Sequence, residues 1–78
     1  MNLKEIYEAV IAGDMDGVEK GVETALVEGT KANEILNQAL IAAMNEVGAR
    51  FEAGEFYVPE MLISARAMQS SLRQLNLI

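Results

Sequence analysis

The chain contains no cysteine, no histidine and no tryptophan among its 78 residues. Without cysteine it can form no disulfide and has no thiolate chemistry. Without histidine it lacks the commonest general base and the commonest ligand of transition metals. Ser64, Ser70 and Ser71 therefore have no histidine to activate them as nucleophiles. These absences argue against zinc, haem and iron–sulfur sites and against an enzyme that uses a covalent intermediate.

Positive charge is also scarce, since 6 basic residues face 12 acidic ones and the net charge is −6. The basic residues are scattered along the sequence, whereas nucleic-acid binding needs clustered Lys and Arg. The apolar runs are too short for a membrane span, and residues 1–5 lack the features of a signal peptide. We expect one small cytoplasmic domain that binds neither nucleic acid nor membrane.

Helical spacing and glycine punctuation predict four helices, at about residues 3–12, 14–28, 31–53 and 59–75. Gly13, Gly29 and Gly54 suit the left-handed residue that ends a helix. Asp14 and Thr30 are the predicted N-caps of the second and third helices, and Pro59 fits the first turn of the fourth. No segment alternates with period two. The predicted fold class is all-α, a four-helix bundle.

Two apolar seams are predicted to pack in this bundle. The third helix carries the first, made of Leu36, Leu40, Ala43, Val47 and Phe51. The fourth helix carries the second, made of Met61, Ala65, Met68, Leu72 and Leu75. Gly48 inside the third helix costs about 1 kcal/mol relative to alanine. Such a glycine predicts either close packing at this point or the close approach of another molecule.

The acidic residues that could suggest chemistry have simpler structural roles. Asp14 and Asp16 are too few for an EF-hand-type cation site and are better explained as helix capping. Glu55 and Glu60 flank the junction between the third and fourth helices. Nothing in the sequence indicates the tuned pKa that an acid–base pair needs, so we assign Glu55 to a turn and Glu60 to the start of a helix.

The junction at residues 51–58 is the strongest functional signal. It holds three of the four aromatic residues of the chain, and Gly48 and Gly54 leave room for close approach. Phe51 and Val58 have two interpretations. They either close the end of the bundle core, or they form an apolar surface for a large flat ligand or a partner. Met61, one turn into the fourth helix, is open to the same two interpretations.

Residues 40–68 read Leu-Ile-Ala-Ala-Met-Asn-Glu-Val-Gly-Ala-Arg-Phe-x-x-Gly-Glu-x-x-Val-Pro-Glu-x-Leu-x-x-Ala-Arg-Ala-Met. This stretch resembles the N-terminal helical cap domain of the cognate corrinoid proteins of methyltransferases. It is also similar to the cap of cobalamin-dependent methionine synthase. The positions of Gly13-Asp14 and of Leu26-x-x-Gly29 fit the first helical hairpin of that family, so the resemblance covers the whole chain.

The resemblance implies a methionine synthase cap-like four-helix bundle that covers the upper, methyl-bearing face of cobalamin during methyl transfer. By position, Phe51, Val58 and Met61 are the expected cofactor contacts, with Val58 standing where methionine synthase has leucine. The cap itself is expected to be non-catalytic, and separate methyltransferase subunits are the expected partners. A related cap in light-sensing repressors presents tryptophan and a Glu-His pair, which this chain lacks.

The family continues into a Rossmann-like domain, whose Asp-x-His-x-x-Gly motif supplies the lower cobalt ligand. This chain has no histidine, and its apolar end, Leu75-Asn-Leu-Ile78, suggests truncation at a domain boundary. We therefore expect the methylcorrinoid to be held by the longer parent protein and bound weakly or not at all by this fragment. An uncovered lid surface would also favour a homo-oligomer.

A different class of function is an alternative. The chain could be a stand-alone helical module for protein–protein interaction or dimerisation. In that case Phe51 and Val58 would lie in an interface between subunits rather than face an open groove.

Overall fold

The computed structural model of the chain describes residues 3–76, so the apolar residues Leu77 and Ile78 lie outside it. Within this range the protein is all-α, with four helical runs and no strand. The runs are α1 (Leu3–Ala12), α2 (Met15–Val27), a composite third helix, and α5 (Val58–Gln74). The composite helix consists of α3 (Ala32–Ile35), a π-helical segment (Leu36–Ile41) and α4 (Ala42–Glu52). The predicted fold class is confirmed.

Glycine ends the first three runs through the same backbone motif. Gly13, Gly29 and Gly54 have φ values of 72°, 94° and 80°. After α4, the Gly54 N–H donates to the Phe51 carbonyl at 3.0 Å and the Glu55 N–H donates to the Arg50 carbonyl at 2.8 Å. These two bonds form a Schellman motif, which satisfies carbonyl groups that the helix leaves without partners.

The helix starts agree with the sequence at two of three positions. The Asp14 side chain accepts the Gly17 N–H at 3.0 Å and caps α2. The Glu60 carboxylate accepts the Tyr57 N–H at 2.9 Å and so stabilises the start of α5. The prediction for Thr30 was wrong, because Lys31 is the N-cap of α3. The Thr30 N–H donates to the Ala25 carbonyl at 2.9 Å, so this residue completes the end of α2 instead.

The core lies between α1, α2, the composite helix and the C-terminal half of α5. It is built from medium-sized aliphatic and small residues, which allow the helices to pack closely. Its buried members are Ile6, Val10, Val18, Val22, Ala25, Ile35, Ala39, Leu40, Ala43, Ala67 and Leu75.

The predicted seam of α5 is displaced around the helix. The buried residues of α5 are Ser64, Ala67 and Ser71, whereas Met61 and Ala65 are only half-buried. Small side chains bring α5 close to its neighbours, and the hydroxyl groups are satisfied. The Ser64 hydroxyl donates to the Ile11 carbonyl at 3.2 Å, and the Ser71 hydroxyl donates to the Met68 carbonyl. Serine at these positions therefore packs as a small residue without leaving an unpaired polar atom.

None of the helices in residues 3–76 combines the length and the apolarity that crossing a lipid bilayer requires.

Candidate functional site

The junction between α4 and α5 exposes apolar side chains. Phe51, in the last turn of α4, is 43% exposed, and Val58, the first residue of α5, is 56% exposed. The interpretation that these two residues close the end of the core is therefore wrong for this chain. So is the assignment of Phe51 to the packing seam of the third helix. Both side chains lie at the surface, on either side of the turn formed by residues 53–57.

The α-helical turns that follow the π-helical segment account for the outward position of Phe51. Ile35, Ala39, Ala43 and Val47 are all buried and recur every four residues. In an α-helix four residues turn through about 400°, so such a repeat drifts by about 40° at each step. The wider turns of the π-helical segment offset part of that drift. Beyond it α4 is α-helical, so the drift accumulates until Phe51 faces away from the core.

The first turns of α5 extend the exposed apolar surface. Val58 and Leu62 lie four residues apart and therefore share a face of the helix, and Leu62 is 52% exposed. Met61 is half-buried beside them. Sequence reasoning missed Leu62, although one signal was available. It is a large apolar residue that falls outside the predicted seam of α5.

Gly48 lies one turn before Phe51 on α4. A Cβ atom placed on Gly48 would meet no atom of a neighbouring element within 4 Å. The expectation that this glycine permits close packing inside the bundle is therefore wrong. The close approach of another molecule remains the open alternative, because the space beside Gly48 is empty and adjoins the exposed face of Phe51.

Arg50 organises the turn that connects the two helices. Its Nε donates to the Glu46 carboxylate at 2.8 Å, and its guanidinium carbon lies 5.7 Å from the centre of the Phe56 ring. The hydrogen bond to Glu46 is the main cause of a raised pKa for Arg50. Phe56 is half-buried, and with Tyr7 and Ile11 of α1 it lines a cleft of about 380 Å³.

Besides this cleft, two further clefts lie between α2 and α5, and charged residues of both signs line them. The two clefts share Glu19, Ser70 and Arg73. The Glu19 carboxylate accepts a hydrogen bond from the Ser70 hydroxyl. Lys20 and Arg66 also line these clefts, but they stand among carboxylates, so the fold gathers basic residues here without forming a basic patch.

The junction can bind an apolar surface, but it offers no acid–base chemistry. Glu60 is engaged in capping α5, and Glu55 is exposed in the turn. Residues 3–76 contain no cluster of carboxylate, cysteine or histidine groups that could hold a metal ion. Apolar contact with a large face is what this arrangement supports.

Comparison with known proteins identifies the family. The dimethylamine corrinoid protein of Methanosarcina barkeri is 38% identical over 74 residues, which are 95% of this chain and 34% of that protein. Dimethylamine corrinoid protein 3 of Methanosarcina acetivorans is 36% identical over the same shares. Monomethylamine corrinoid protein 2 of M. barkeri is 30% identical over 72 residues, 92% of this chain and 33% of that protein. The chain thus spans about a third of the length of these relatives.

No solved structure matches this chain significantly. The profile of the B12 binding domain matches residues 3–76, which is nearly the whole sequence. The resemblance noted in the sequence is thereby confirmed. This chain belongs to the B12 binding domain family and is a helical cap domain of the type found in corrinoid proteins.

Proposed function

We propose that this domain covers the upper, methyl-bearing face of the corrinoid in a methyl-carrier protein of a methylamine methyltransferase system. The observation that carries the proposal is the exposed apolar surface formed by Phe51, Val58 and Leu62 beside the open space at Gly48. We call this set, together with Met61, the junction surface. The names of the relatives support the choice of a methylamine system.

The junction surface suits contact with the upper face of a corrinoid, but it does not suit coordination of the cobalt. It offers exposed apolar groups around a glycine, which suit contact with a broad face. The chain has no histidine and no cysteine, so it supplies no strong ligand for cobalt. Phe51, Val58 and Met61 would hold the group by apolar contact alone. The cofactor, when bound, supplies a transferable methyl group.

The side chains of the domain therefore act by excluding water. Burial of the junction surface against the cofactor removes apolar area from solvent, and no hydrogen bond or ion pair has to break when the cap lifts. Such a contact suits a cover that must open for a methyltransferase. We propose a cytoplasmic, non-catalytic domain whose partners are a cobalamin-binding domain and methyltransferase subunits.

A titration of the isotopically labelled chain with methylcobalamin tests this proposal. We expect chemical shift changes at Gly48, Phe51, Val58 and Met61, saturating with a Kd of about 1 mM, because apolar contact without coordination contributes only a few kcal/mol. Val27, 81% exposed at the end of α2, is the internal control and should not shift. Shifts spread evenly over the surface, or shifts confined to residues outside the junction surface, would contradict the proposal.

The same sample tests the alternative of an interaction module. Sedimentation equilibrium without ligand reports whether the chain dimerises. If the amides of Phe51 and Val58 shift with protein concentration but not with methylcobalamin, the junction surface is an interface between copies of the chain. That result would replace the cap proposal.

A further inference from the structure

Arg50 contacts its surroundings in two directions. On α4 its Nε bonds the Glu46 carboxylate at 2.8 Å, one helical turn earlier. Across the turn its guanidinium faces the Phe56 ring, 5.7 Å from the ring centre. Its backbone carbonyl also accepts the N–H groups of Glu55 and Phe56, at 2.8 Å and 3.2 Å. Side chain and main chain of Arg50 thus both contact Phe56, and the main chain also holds Glu55.

Phe56 is the aromatic residue of the turn that points inward. It is half-buried, whereas its neighbour Tyr57 is 69% exposed. Phe56 lines the cleft against Tyr7 and Ile11 of α1, with Arg50 on the other side. The half-buried ring therefore borders this cleft together with the guanidinium group, with which it makes a cation–π contact.

The position of Phe56 is coupled to the position of Val58, the first residue of α5. Only Tyr57 separates Phe56 from Val58, so a rotation of the turn that released Phe56 would also move Val58. Val58 in turn shares its helix face with Leu62. The side of the turn that faces α1 and the side that carries the junction surface are thus mechanically linked.

We infer that Arg50 is the positioning residue of the junction surface: by holding Phe56 in the turn it keeps Val58 and Phe51 directed outward. That the surface receives a corrinoid rests on the proposed function. The positioning itself rests only on contacts within the chain. The charged groups near Arg50 are Glu46, Glu55 and, across the cleft, Lys4 and Glu8.

Amide hydrogen exchange tests the inference in the absence of any ligand. In Arg50→Gln the amides of Glu55 and Phe56 should exchange about fivefold faster, the size expected for losing an exposed cation–π contact and an i,i+4 ion pair. Amides of the core of α1, such as that of Val10, should keep their rates. Equal acceleration everywhere, or no change at Glu55 and Phe56, would overturn the assignment.

Two further variants separate position from general stability. Arg73→Gln removes an exposed arginine from the last turn of α5 and should leave the turn amides unchanged. Arg50→Lys keeps a cation for both Glu46 and Phe56 and should restore most of the lost protection. If the amides of Glu55 and Phe56 exchange as fast in Arg50→Lys as in Arg50→Gln, these two contacts do not hold the turn.

The methylcobalamin titration then connects the turn to the ligand. In Arg50→Gln the shift change at Val58 should fall at least twofold, while the melting temperature stays close to that of the parent chain. An unchanged response at Val58 in a variant with loosened turn amides would contradict the positioning role. If the parent chain responds only outside the junction surface, the proposed function fails, whereas the exchange result still decides the role of Arg50.

Discussion

Two glycines of this domain stand in opposite surroundings, and they distinguish a closed helix end, that of α1, from an open helix end, that of α4. A Cβ atom on Gly13, in the turn between α1 and α2, would lie 2.2 Å from Cγ2 of Ile63. A Cβ atom on Gly48 would meet nothing within 4 Å. Glycine is needed at Gly13 because α5 packs directly on that turn. Packing within the bundle does not require glycine at Gly48.

The contrast extends to the residues around each glycine. Near Gly13 the Ser64 hydroxyl bonds the Ile11 carbonyl at 3.2 Å, which ties α5 to the end of α1. Near Gly48, Phe51 and Val58 are about half exposed. Substitutions at the closed end should therefore change the free energy of unfolding, and those at the open end should change ligand binding.

The largest effect is expected for Gly13→Ala. Its φ of 72° is unfavourable for alanine, and the new methyl group would overlap Ile63. The free energy of unfolding should fall by about 3 kcal/mol, from left-handed strain and overpacking together, as measured by urea denaturation. Gly54→Ala is the matched control, since φ is 80° there but the space is open. It should lose only about 1 kcal/mol. Equal losses for the two variants would show that the Ile63 side chain moves away from the new methyl group without a loss of stability.

Ser64→Ala should come next. The variant leaves the Ile11 carbonyl at the end of α1 without its hydroxyl donor, at a cost of about 1 kcal/mol in urea denaturation. Ser71→Ala is the control, because its hydroxyl bonds the Met68 carbonyl within the same helix. It should cost less than half as much. If the two variants lose the same stability, the bond between α5 and α1 is not what distinguishes the closed end.

Gly48→Ala should act with the opposite sign. Alanine at an open helical position should raise the free energy of unfolding by up to about 1 kcal/mol. The same methyl group would occupy the space beside Phe51, so the methylcobalamin response of the junction surface should weaken. A stabilised variant with an unchanged response would show that nothing approaches Gly48.

Val58→Ala should affect stability least. A side chain that is 56% exposed at the first position of α5 contributes within about 0.5 kcal/mol. We nevertheless expect a weaker ligand response at Phe51. Val27→Ala, on an 81% exposed residue, is the matched control and should alter neither property. A loss of stability above 1 kcal/mol in Val58→Ala would place Val58 among the packing residues instead.

The helices and their ends were largely predictable from the sequence. Glycine adopts positive φ without a steric penalty, so Gly13, Gly29 and Gly54 predict the turns without any knowledge of tertiary contacts. Asp14 caps α2 through a bond to Gly17, three residues away, which is also local. Thr30 was misassigned because Schellman closure of α2 competes with capping of α3, and local propensity does not rank the two.

The orientation of the helices was less predictable. The period of apolar residues suggested a seam of Met61, Ala65, Met68, Leu72 and Leu75. Leu75 is buried, and Met68 and Leu72 pack against the core, but the fully buried residues of α5 itself are Ser64, Ala67 and Ser71. Hydrophobicity favours the methionines, but close approach of α5 to α1 and α2 favours small side chains whose hydroxyls find carbonyl partners. A sequence pattern contains no information on the distance between two helices.

The sequence by itself determined the all-α class, the glycine ends of the first three helices and the family, because these depend on local backbone chemistry and on a contiguous motif. The tertiary structure decided that Phe51 and Val58 lie at the surface, that Leu62 joins them, and that Gly48 borders empty space. Exposure depends on the rotation of each helix about its axis. That rotation depends on contacts between residues far apart in the chain, such as the close approach of Ile63 to Gly13.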